Sequence, residues 1–199
     1  MTLSARRRSG LPRRAVQRGL TLIEVLISLV ILLAALLGAA GMMARSNQSE
    51  MESYQRVQAL TLLQDMVSRL NQNRQVAACY ASLGTTPVAG NQSSVAPACA
   101  LGTAAQQSIV TADLAAWNTE LMGNNEASTD SSPVALGAMI GARGCIEAVD
   151  SVNQVYRVTV AWQGVVRTVA PALPCGSGAF TDDTYRRAVS VQVRIGVLS

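Results

Sequence analysis

From Val25 to Ala44 the chain runs twenty residues with Ser28 as its one polar side chain and no charge. A segment apolar on every side must be covered all round, by lipid or by a large core. At about 1.5 Å per residue, a helix of that length is about 30 Å long, one hydrocarbon thickness. Six arginines precede it: Arg6, Arg7, Arg8, Arg13, Arg14 and Arg18. By the positive-inside bias they stay in the cytoplasm and the remainder is exported. Glu24 sits just inside the apolar segment, where a carboxylate costs roughly 2.5 kcal/mol or more at bilayer depth, so its presence needs a reason.

The formal charge of +4 belongs to this terminal segment, because beyond Gly19 ten arginines face twelve acids, a balance of −2. Nothing there points to nucleic acid. An ordinary secretory signal has a shorter apolar core and a small-residue cleavage site. Here the run is longer and no clear Ala-x-Ala site closes it, although Ala39, Ala40, Gly41 and Ala44 are small. A plain signal anchor is the other reading of the same residues. The chain has no His and no Lys. That excludes a Ser–His or Cys–His nucleophile and a GxxxxGK phosphate loop. No cofactor is expected.

Cys79, Cys99, Cys145 and Cys175 all lie on the exported side. An even count in that compartment favours disulfides, and the absence of CxxC spacing and of His disfavours zinc. Three pairings are open. Cys79–Cys99 and Cys145–Cys175 are favoured, since nearest neighbours close short loops within separate units, each worth on the order of 3 kcal/mol in the chain-entropy model.

Ala59, Leu62, Leu63, Met66, Val67 and Leu70 form one amphipathic stripe, with Arg56, Asp65 and Arg69 on the opposite face. Nothing between Leu20 and Leu70 stops a helix firmly, so one continuous helix is predicted from about Leu20 to Gln72. Residues 20–44 form its membrane half and residues 45–73 its amphipathic half. The remainder, 74–199, forms an exported head. Residues 74–108 read as an irregular loop, and Leu114, Trp117 and Leu121 as a short helix over 113–122 capped by Asp113. From Cys145 the rhythm becomes period two. Strands are predicted at Cys145–Val149, at Tyr156–Trp162, at Val165–Ala170 after a Gln163-Gly164 turn, and at Val189–Val197. The class is α+β, a roughly four-stranded antiparallel sheet covered by the Ala59–Leu70 stripe. Trp117, Tyr156 and Trp162 read as core. Asp182-Asp183 is weak as a calcium pair and reads as a solvated turn.

Gly19-Leu20-Thr21-Leu22-Ile23-Glu24-Val25-Leu26 resembles the cleavage and N-terminal motif of class III signal peptides, found in type IV prepilins and type II secretion pseudopilins. The resemblance implies a cytoplasmic leader, 1–19, that a prepilin peptidase cuts after Gly19. Leu20 then becomes a methylated first residue, standing where the family usually has Phe. Glu24 becomes the fifth residue and neutralises the amino terminus of an adjacent subunit during assembly. Leu36-Leu37-Gly38 with Gly41, then Gln48, Arg56, Ala59, Asp65-Met66, Arg69 and Asn73-Arg74, are similar to PilV-type minor pilins. So are Gly144-Cys145-Ile146 and the run Tyr156 to Gly164. The likeness covers about 20–74 and 143–197. It implies a ladle-shaped type IV pilin-like fold and a non-catalytic protein of the inner membrane, single-pass with a periplasmic head. That protein would help prime pilus assembly and enter the pilus at or near its tip, at the cell surface, supporting adhesion or motility. Its partners would be other minor pilins, the major pilin and a tip adhesin. A minor pseudopilin of a type II secretion system is the alternative.

Overall fold

The computed structural model describes residues 19, 21–81, 86–91, 99–123 and 139–196. The N-terminal arginines, Leu20 and Val197 lie outside the described residues. Two compact units are present, the first ending at Arg45 and the second running Ser46–Ser199.

Helix α1, Leu22–Gln72, begins in the first unit and ends in the second. At its start Thr21 acts as the cap: its carbonyl accepts from the Glu24 and Val25 N–H groups, and its hydroxyl lies 3.4 Å from the Glu24 nitrogen. Within the first unit every described side chain is exposed, and the helix is long and apolar enough to cross a membrane. Leu36 and Leu37 are among these uncovered residues.

The second unit is α+β, with α1 packed on a four-stranded antiparallel sheet of order β1-β2-β3-β4. The strands are β1 Ala89–Gly90, β2 Ile140–Asp150, β3 Val155–Gln163 and β4 Arg186–Arg194. The helix contributes Ala59, Leu63, Met66 and Leu70, which meet Val158 and Val160 of β3 in the core. Each large apolar side chain so buried favours folding by roughly 1.5–3 kcal/mol. Trp117, Tyr156 and Trp162 are buried, as the sequence predicts. Asp65 and Arg69 are not on a solvated face; both are half-buried against the second helix.

Three other expectations need correction. Helix α2 spans Ala104–Leu121 and starts well before residue 113. Its cap is Thr103, in a capping box: the Thr103 hydroxyl accepts from Gln106 N–H, and Gln106 Oε1 accepts from Thr103 N–H at 2.8 Å. Asp113 therefore lies inside the helix. Residues 74–108 are not one irregular loop, since they hold a 3-10 segment Arg74–Tyr80, β1 and the start of α2. Val165–Ala170 is not a strand. The Val165 and Val166 N–H groups turn to the Glu52 carboxylate in place of a neighbouring strand. The fourth strand is β1, which pairs with Arg143 and Gly144.

Gly144 is forced by its neighbours. A Cβ there would strike the Trp117 ring and come 2.9 Å from Leu121 Cδ1, so α2 lies directly on the backbone of β2.

Candidate functional site

The residues assigned to processing and assembly fall at the start of α1. Gly19 is exposed, with nothing within 4 Å of the place a side chain would occupy. Glu24 lies in the first turn of the helix, and the Ser28 hydroxyl donates to its carbonyl at 2.6 Å. Its carboxylate has no ion-pair partner among the described residues. Gly19 and Glu24 thus share one exposed end of the apolar helix, while the four cysteines lie far along the chain in the second unit.

The structure joins Cys79 to Cys99 and Cys145 to Cys175, with Cα separations of 5.3 and 5.9 Å. The first bond ties the 3-10 segment to the chain ahead of α2. The second ties β2 to the loop ahead of β4, on the sheet face away from α1, where Ala161 packs beside it. Asp182 and Asp183 are engaged within that loop. Asp182 accepts from Thr184 N–H at 2.9 Å and pairs with Arg167 at 3.3 Å. Asp183 accepts from Ser177 and Gly178 and pairs with Arg186, each at 3.1 Å.

Two polar junctions, both overlooked in the sequence, fix the sheet and α2 to α1. In one, Glu52 receives Arg187 and the Val165 and Val166 N–H groups. One turn on, Gln55, 1% exposed, accepts from the Trp162 indole at 3.2 Å. Burial works to raise the Glu52 pKa, but Arg187 and the two N–H groups outweigh it and hold the carboxyl below its ordinary value. In the other junction, Arg69 binds Asp65 on its own helix at 2.6 Å, and Asp113 and Glu120 of α2 at 3.3 and 3.1 Å. The Tyr80 hydroxyl donates to Asp113 at 2.5 Å and accepts from Asn73. Burial and then the Asp113 bond push the Tyr80 pKa well above a free phenol. Burial and the nearby Asp65 charge raise that of Glu120, partly offset by Arg69. The signal for the first junction was present, because Glu52 and Gln55 continue the spacing of the apolar stripe at polar positions.

The half of α1 that packs on the sheet also keeps an uncovered side. Met51, Tyr54, Val57 and Leu60 are exposed on it. Chemically the described residues offer apolar helix surface and ion pairs, and no group of three or more acids or cysteines able to hold a metal ion is found among them.

Residues 14–40 match the family profile of the prokaryotic N-terminal methylation motif. No curated protein and no solved structure matches the chain. The chain thus carries the class III signal motif of type IV pilin-like proteins and pseudopilins, which implies processing by a prepilin peptidase and use of a pilin assembly machinery. An apolar N-terminal helix and this motif together fit membrane anchoring and a structural role.

Proposed function

We propose that this chain is a minor pilin, most similar to the PilV type, which helps prime type IV pilus assembly and enters the fibre at or near its tip. The observation that carries the reading is the methylation motif lying across the junction of a basic leader and an apolar helix. In this reading the peptidase cuts between Gly19 and Leu20, and the Leu20 amine is methylated. Until assembly, the membrane holds the chain by residues 20–44, with the head in the periplasm. Glycine at the cut suits a peptidase that must approach the backbone closely.

Glu24 then acts between subunits. An amine and a carboxylate are each costly in low dielectric, and pairing lowers the cost of both. The unpaired state of Glu24 among the described residues is consistent with a partner outside the chain. The uncovered Met51, Tyr54, Val57 and Leu60 support lateral packing against neighbouring helices. Other minor pilins, the major pilin and a tip adhesin are the partners this reading needs.

The test is the intact mass of the membrane-extracted protein, followed by its detection in sheared pili. Loss of residues 1–19 with gain of one methyl group is expected, together with recovery in the pilus fraction. An uncut chain would reduce it to a signal-anchored protein. A processed chain absent from pili but required for protein secretion would make it a pseudopilin.

A further inference from the structure

The stripe of α1 that is apolar from Ala59 to Leu70 has a polar neighbour in the preceding turns. Ser49, Glu52, Ser53 and Arg56 recur at i, i+3, i+4 and i+7 and share one side of the helix. Together with Arg187 and Trp162 they line a cavity of about 450 Å³ between the helix, the start of β4 and the loop before it.

The wall of this cavity is preformed. Arg187 gives two N–H groups to Glu52 and others to the Val166 carbonyl at 2.6 Å and the Thr168 hydroxyl at 2.7 Å. Glu52 is filled in turn by Arg187 and two backbone N–H groups. That pair is neutral, its two charges compensating each other. Arg186, which also lines the cavity, is paired with Asp183, and the other donors lie on the helix. Arg56, Ser49 and Ser53 have no hydrogen-bond or ion-pair partner among the described residues, and all three are exposed.

One uncompensated guanidinium beside two hydroxyls calls for an acceptor with a single negative charge and two oxygens. A carboxylate meets that description, and a guanidinium fork holds it through paired charge-assisted bonds. Val169 and Val189 line the cavity and Leu60, one turn beyond Arg56, is exposed, so the occupant should also bring apolar surface. We propose that this cavity seats an Asp or Glu side chain of a neighbouring protein chain in the assembly. The proposal rests on the assembly reading above, and it adds a second charged contact in the exported half of the helix.

The test uses the full chain, ¹⁵N-labelled in detergent micelles. It is titrated with the blocked tripeptide acetyl-Ala-Glu-Ala-amide and with its Gln counterpart. The reporter is the Trp162 indole N–H, which lies at the cavity and donates to Gln55. The Trp117 indole, donating to the Leu62 carbonyl elsewhere in the core, is the internal control. A saturable shift of Trp162 with the Glu peptide alone is expected, with Trp117 still. Arg56→Gln should weaken it about tenfold or more, and Arg56→Lys should retain part of it. The proposal is overturned by an equal response to both peptides, by no response, or by an unchanged Arg56→Gln variant. It is also overturned if nanodiscs with anionic lipid move Trp162 and the peptide does not, which would make the occupant a lipid headgroup. A chain that is processed and recovered from pili yet fails this titration would sink the cavity and leave the assembly reading standing. An uncut chain that binds the peptide would do the reverse.

Discussion

Glu52 and Arg187 meet through two parallel hydrogen bonds, Nε to Oε2 at 3.1 Å and Nη2 to Oε1 at 2.9 Å. This fork fastens the start of β4 to α1. Glu52→Gln keeps an acceptor but loses the charge and one arm of the fork, so it should cost about 1–2 kcal/mol. Because the folded pKa of Glu52 lies below its ordinary value of 4.5, its contribution is complete above that value and is lost as pH falls through the lower one. Thermal melts should therefore show the variant weaker than wild type at neutral pH, with the gap closing in acid.

Glu120 behaves oppositely. Its folded pKa is raised, so folding favours the protonated carboxyl. That contribution is complete below the ordinary pKa and is lost as pH rises through the folded one. Glu120→Gln imitates the protonated form. It should match wild type in acid and be more stable at neutral pH by less than about 1 kcal/mol, read as a higher Tm. A variant less stable than wild type at neutral pH would mean that the Arg69 bond outweighs the cost of burial and the repulsion from Asp65.

Gly144→Ala should cost about 1–3 kcal/mol, since the added methyl meets the Trp117 ring and Leu121. Denaturant unfolding with Trp fluorescence reads both the loss and any displacement of α2. Serine at Cys145 should cost a comparable amount, about 2–4 kcal/mol, by removing the bond from β2 to the loop before β4.

Glu24→Ala removes the carboxylate and leaves Gly19 and Leu20 in place. Leader removal and methylation, read by intact mass, should survive, while pilus number or the chain's recovery in pili should fall. Unchanged pilus number and composition would refute the assembly role given to Glu24.

The long helix was legible because nothing in Leu22–Gln72 forbids it and because the apolar run and the stripe are unambiguous. Strands β3 and β4 were legible from alternation. The start of α2 was missed because Ala104 to Ile109 carries no apolar rhythm, although the Thr103–Gln106 capping box was there to be read. Val165–Ala170 has the composition of a strand, but its N–H groups find Glu52, which is remote in sequence and invisible to any local pattern. Arg69 shows the same limit: spacing alone puts it on the open face, and only the approach of α2 encloses it. The N-terminal motif is the opposite case, since its chemistry is read along the chain and needs no fold to be recognised.

Arg186 and Arg187 are adjacent yet reach to opposite sides of the sheet. Arg187 holds the Val166 carbonyl and the Thr168 hydroxyl, while Arg186, 2% exposed, holds the carbonyls of Pro171, Leu173 and Cys175. The loop between β3 and β4 is thereby pinned on both flanks of a short stretch in which Val169 is 90% exposed. Residues 169 and 170 can thus change or lengthen over generations without disturbing the sheet. That stretch is therefore where substitution or insertion costs the fold least.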